Sequence, residues 1–89
     1  MTKGEYRVGI NFNPSNDDTV GRIKRLAADL IDLIEGIPMP ELLHEVSEEK
    51  WIKDMEHWSE VYRLKSLAQT NIEEGAMWAV KGATKGPMP

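Results

Sequence analysis

The sequence predicts an all-α fold: an extended N-terminal arm and an antiparallel helical hairpin, assembled into a compact homo-oligomer. Three observations carry that expectation. Apolar residues recur at spacings of three and four through two long windows, 17–36 and 47–84. Residues that stop helices cluster between the windows, at Gly36, Pro38 and Pro40, and no proline interrupts 47–84. Finally, a chain of 89 residues with no cysteine, three Trp and five Met has more apolar surface than two helices bury against each other. Self-association follows from that shortage of partners.

The elements follow in order within a single domain, 1–89. Over residues 1–16, Tyr6, Val8, Ile10 and Phe12 alternate with Arg7, Gly9 and Asn11, the period of an extended strand. With no sheet to join, this arm is expected to lie across helices or pair with another subunit. Asn13-Pro14-Ser15-Asn16 reads as a turn. The first helix, 17–36, begins near Asp17 or Asp18 with Asn16 or Asp17 as cap. Its stripe is Val20, Ile23, Ala27, Leu30 and Ile34, widened by Leu26 and Leu33. Arg25 and Asp29 are spaced to pair, and Gly36 ends the helix. Residues 37–46 form a connector in which Pro40-Glu41-Leu42-Leu43 suggests one short helical turn. The last helix, 47–84, is capped by Ser47 and carries Glu48 and Glu49 in its first turn. Trp51, Met55, Trp58 and Tyr62 form one apolar line along it, continued by Leu64, Ala68, Ile72, Ala76 and Ala79. Gly75 marks a place for it to bend.

Charge narrows the function classes. The net charge of −4 is unevenly spread: residues 1–25 and 63–89 each carry +2, and residues 26–62 carry −8. The acidic middle repels long polyanions, so DNA and RNA polymers are not expected as partners. A compact anion held between the two basic segments is compatible with the pattern. No apolar run approaches the roughly 20 residues of a membrane span, and Met1-Thr2-Lys3-Gly4-Glu5 does not open a signal peptide.

Nothing in the sequence has the spacing of a catalytic or metal site. His44 and His57 lie outside any HExxH pattern and read as surface histidines; no metal or other cofactor is expected. Glu48-Glu49 and Glu73-Glu74 are neighbours, and neighbours on a helix diverge by about 100°, so they make poor acid–base pairs.

Two segments are more informative. Tyr6 to Ser15 mixes aromatics, an Arg, amides and a hydroxyl, which suits base stacking, base-edge recognition and phosphate binding. An apolar arm that only staples a helical core has the same composition. In the second segment Arg63, Thr70 and Met77 are seven residues apart, on one helical line with about 10 Å between successive members. There Arg63 suits a phosphate, and Thr70 a phosphate or a base.

The stretches YRVGINFNPS, VGRIKRLAADLID and RLKSLAQTNIEEGAMWAVKGATK, about half the chain, resemble the phage anti-CBASS cyclic-oligonucleotide sponges known by their hairpin domain. The resemblance implies an all-α subunit assembled as a hexamer in the host bacterial cytoplasm. It also implies a non-enzymatic function, sequestering cyclic di- and trinucleotide second messengers to block antiphage signalling. Carried over by motif, Tyr6, Phe12, Asn13, Ser15 and Lys24 belong to a dinucleotide pocket between subunits, with Arg22 or Arg25 as replacements for Lys24. Arg63 and Thr70 belong to a separate trinucleotide site near a threefold axis. The acid- and Trp-rich stretch from Ile37 to Glu60 is longer than the family connector, and Gly75 also departs from the pattern. The alternative function is a small acidic interaction protein, antitoxin-like or a DNA mimic, that inhibits a host protein through its acidic middle.

Overall fold

The computed structural model describes residues 1–43 and 45–89. Its helices are α1 (Lys3–Val8), α2 (Asp18–Glu35) and α3 (Glu48–Ala83), and no strand occurs among the described residues. The all-α expectation and the antiparallel hairpin of two long helices hold.

The N-terminal segment departs from the expected strand. Residues 3–8 are helical because both ends of α1 are capped. At its start Thr2 Oγ1 accepts from the Glu5 amide at 3.1 Å, and the Glu5 carboxylate accepts from the Thr2 amide at 2.8 Å. This reciprocal capping box satisfies two N–H groups that a helix start otherwise leaves open. At its end Gly9 takes a left-handed φ of 64° and its amide donates to the Glu5 and Tyr6 carbonyls. Asp32 of α2 supplies a further acceptor, 2.7 Å from the Gly4 amide. Two local caps and one tertiary cap thus outweigh a four-residue apolar alternation.

Helix α2 is capped by Asp17, whose carboxylate accepts from the Thr19 amide at 2.7 Å. Its buried face is Val20, Lys24, Ala27, Ala28 and Ile31. That face is rotated from the expected stripe. Ile23 and Ile34 are half-buried, while Leu26 and Leu33 are each 71% exposed and Leu30 is 44% exposed. The apolar arc of α2 is wider than α1 and α3 together cover, so its leucine side is left to solvent.

Helix α3 spans 36 residues against 18 in α2, about 54 Å against about 27 Å at 1.5 Å per residue. Lys65 fixes the register between them by donating to the carbonyls of Glu35, at 3.1 Å, and Ile37, at 2.6 Å, at the end of α2. The first 17 residues of α3 therefore extend past α2, and the molecule is 65 × 27 × 13 Å. Ser47 caps α3 by accepting from the Lys50 amide at 3.2 Å, and the helix runs uninterrupted through Gly75. Residues 40–43 are not helical, contrary to the expected turn.

One polar cluster lies inside the hairpin. The Gln69 amide is almost fully buried and donates to the Ile31 carbonyl, at 3.2 Å, and to Glu35, at 2.8 Å. It accepts from Lys3 Nζ at 3.1 Å, and Lys3 also pairs with Glu35 at 2.8 Å. These two bonds from Lys3 and Gln69 hold the Glu35 carboxyl below its ordinary range. Among the described residues no buried side-chain polar atom lacks a partner, as buried polar groups require.

Candidate functional site

The residues singled out in the sequence fall into two groups in space. The first surrounds the loop between α1 and α2. Gly9 turns the chain out of α1, and the Phe12 amide donates to its carbonyl at 2.9 Å. Asn13 holds the next turn: its Nδ2 donates to the Asp17 carbonyl at 2.9 Å, and its Oδ1 accepts from Ser15 Oγ at 2.7 Å. Ser15 Oγ in turn accepts from the Asp17 amide at 3.2 Å. Asn13 and Ser15 thus hold each other and the start of α2.

Lys24 lies beneath this loop and is only 8% exposed. Its ammonium donates to the Gly9 carbonyl at 3.0 Å and also to the Phe12 carbonyl, and it sits 5.4 Å from the Phe12 ring centroid. Two of its three donors are committed to loop carbonyls, leaving one for another acceptor. Of the two arginines named as replacements, Arg25 bonds Glu5 at 2.8 Å and Asp29 at 2.7 Å. Arg22 is exposed and forms no ion pair among the described residues.

Tyr6 and Phe12 are held by this scaffold yet stay 79% and 71% exposed. Both line one open concavity of about 410 Å³, together with Glu5, Gly9, Ile10 and Asn11. Helix α1 and the loop therefore offer one aromatic side chain each, Tyr6 and Phe12, to one concave surface, while the loop backbone is fixed from below by Lys24.

The second group is on α3. Arg63 is exposed and bonds Glu60 through Nη2 at 2.6 Å and Nε at 3.1 Å. That pairing lowers the Glu60 pKa and raises that of Arg63. Exposed pairs at i, i+3 contribute little to stability, so a phosphate can replace Glu60 as the arginine's partner. Thr70, two turns on, accepts from Arg7 Nη2 at 3.3 Å, and Arg7 Nε donates to Glu73 at 2.8 Å. The sequence reading missed this link between α1 and α3, because Arg7 and Thr70 are 63 residues apart.

His57 is exposed; the reading of His44 as a surface residue lies outside the described residues. Among the described residues no group of three or more His, Cys, Asp or Glu is placed to hold a metal ion. No described helix is long and apolar enough to cross a membrane.

With this geometry in hand, comparison with known proteins adds one finding. The family model described as Acb2/Tad1, hairpin domain, matches residues 5–84. Comparison with curated proteins and with solved structures gives no match.

Proposed function

The chain belongs to the Acb2/Tad1 hairpin-domain family of anti-CBASS nucleotide sponges, and from that premise we propose that it captures cyclic di- and trinucleotides at separate sites and returns them intact. The observation that carries the reading is the shared concavity of two exposed aromatics, Tyr6 on α1 and Phe12 on the loop braced by Lys24. Base stacking on such side chains is worth about 1–3 kcal/mol per base. Asn13 and Ser15 keep the loop in register; Lys24 lines the adjoining cavity with Arg7, Glu73 and Met77, and in this reading its remaining donor serves a phosphate oxygen from that side. In this reading the pocket is completed by a neighbouring subunit of a hexamer in the host cytoplasm, and Arg63 and Thr70 form the trinucleotide site.

Sequestration without cleavage fits the chemistry of these side chains. The Arg63 guanidinium has no lone pair with which to take a proton, and the Lys24 side chain acts as a donor to the Gly9 and Phe12 carbonyls. A site that holds ground state and transition state equally well gives affinity without rate.

Calorimetric titration of a cyclic dinucleotide into the wild type, Tyr6→Ala and Phe12→Ala tests the proposal. Each variant is expected to bind at least fivefold more weakly, corresponding to about 1 kcal/mol of lost stacking. Nucleotide released by heat after hours of incubation with added divalent metal is expected to chromatograph as the intact ring. Absence of wild-type binding to the cyclic dinucleotide and to a cyclic trinucleotide titrated in the same way favours an inhibitor acting through the acidic middle. Linear product that grows with protein concentration marks a phosphodiesterase.

A further inference from the structure

Thr70, within α3, and Thr84, the residue that caps its C-terminal end, use their hydroxyls differently. Thr84 Oγ1 donates back to the Val80 carbonyl at 2.8 Å, the same i−4 back-bond that threonines within helices commonly form. Thr70 makes no such bond among the described residues; its Oγ1 accepts from Arg7 Nη2 at 3.3 Å. A hydroxyl has one proton to donate and two lone pairs. With a guanidinium on one lone pair, the proton of Thr70 stays uncommitted, and the adjacent positive charge strengthens it as a donor. Arg7 is itself fixed. Its side chain is 21% exposed, and its Nε is bonded to Glu73, three residues beyond Thr70 on α3.

We propose that Arg7 is a positioning residue for Thr70: it orients the hydroxyl and leaves its proton for an anionic oxygen, the phosphodiester of a cyclic trinucleotide. The inference rests on the reading of Thr70 as a ligand contact. Glu73 holds the guanidinium, the guanidinium holds the hydroxyl oxygen, and the hydroxyl hydrogen points to the ligand. Because Arg7 belongs to α1, the same short helix that presents Tyr6 also sets the donor geometry on α3.

A double-mutant cycle tests this, with cyclic triadenylate titrated into the wild type, Arg7→Lys, Thr70→Val and the double variant. Lysine keeps a charge for Glu73 but has no fork with which to bond Thr70 as well. Arg7→Lys and Thr70→Val are each expected to weaken binding by roughly fivefold to tenfold, the value of one hydrogen bond. The double variant is expected to bind no more weakly than Thr70→Val alone, since Arg7 acts only through the hydroxyl. Thr70→Ser restores the hydroxyl and should bind within about twofold of wild type. A cyclic dinucleotide titrated into Arg7→Lys should bind as to the wild type, which separates positioning from general loosening. If Arg7→Lys loses helicity, Arg7→Gln replaces it in the same cycle. Additive losses, or wild-type affinity in the Arg7 variant while Thr70→Val is impaired, overturn the positioning role and leave the function reading standing. Wild-type affinity in both Thr70→Val and Arg63→Ala removes the trinucleotide site itself, and this inference with it.

Discussion

Glu5 serves two elements at once. One oxygen accepts the Thr2 amide and closes the start of α1, and the other accepts Arg25 of α2 at 2.8 Å. The Arg25 hydrogen bond, followed by the Thr2 backbone bond, lowers its pKa from 4.5 to about 2. A carboxyl with a depressed folded-state pKa contributes stability that is complete above its unfolded value. That contribution is lost as pH falls toward the folded value. The window therefore runs from about pH 4.5 down to about pH 2. Glu5→Gln is expected to melt below the wild type at neutral pH, with the gap closing through that window. Circular dichroism melts of the two proteins at stepped pH check this; the shifts of Glu35 and Glu60 are common to both and cancel in the difference. A gap that does not depend on pH would assign the loss to geometry and not to charge. The sequence made some of these contacts legible and hid others. Arg25–Asp29 is visible from its spacing of four. The brace from Lys24 to the loop is not, because it depends on carbonyls that Gly9 turns inward. The Arg7–Thr70 bond joins opposite ends of the chain, beyond the reach of any local pattern.

At the scale of elements, α2 and α3 were legible because their signals are long: two extended runs of helical periodicity, separated by Gly36, Pro38 and Pro40. Helix α1 is six residues long, too short for periodicity to distinguish it from a strand, and the alternation of Tyr6, Val8, Ile10 and Phe12 suggested the wrong period. The correct signal was present in the caps, Thr2 with Glu5 three residues on, and Gly9 at the far end. What holds α1 in place was not visible at all. Gly4 is buried against Ala28, and a Cβ at Gly4 would overlap the Ala28 carbonyl. Gly4→Ala raises helix propensity by about 1 kcal/mol, yet it is expected to destabilise the protein by about 1–3 kcal/mol, the usual cost of overpacking. Gly75 provides the contrast, because a Cβ there meets nothing within 4 Å. Gly75→Ala should stabilise by about 0.5–1 kcal/mol. Thermal melts of the two variants with opposite signs support this account of α1 docking. Two shifts of the same sign would contradict it.

The whole molecule is too open for its mass. A compact monomer of 10.1 kDa exposes about 5,300 Å² by the usual scaling, whereas this chain exposes 6744 Å². Its radius of gyration is 18.3 Å, against about 12 Å for a compact domain of 89 residues. The excess arises from the part of α3 that runs past α2 and from the leucine side of α2. It exceeds the roughly 800 Å² that one partner contributes to a standard interface. Leu26, Leu30 and Leu33 form a continuous apolar strip on that side, at spacings of four and three. The wild type is therefore expected to sediment as a single species larger than a monomer at micromolar concentration, with a Tm that rises with protein concentration. The double variant Leu26→Glu/Leu33→Glu separates association from folding. Both residues are 71% exposed within the subunit, so in an isolated monomer the two changes together should move stability by no more than about 1 kcal/mol, about 0.5 kcal/mol for each. If the strip is buried between copies, the variant instead sediments as a smaller species, and its Tm falls and loses its dependence on concentration. A wild type that sediments as a fully helical monomer, or a double variant that keeps both mass and Tm, would mean that the subunit tolerates its open shape alone.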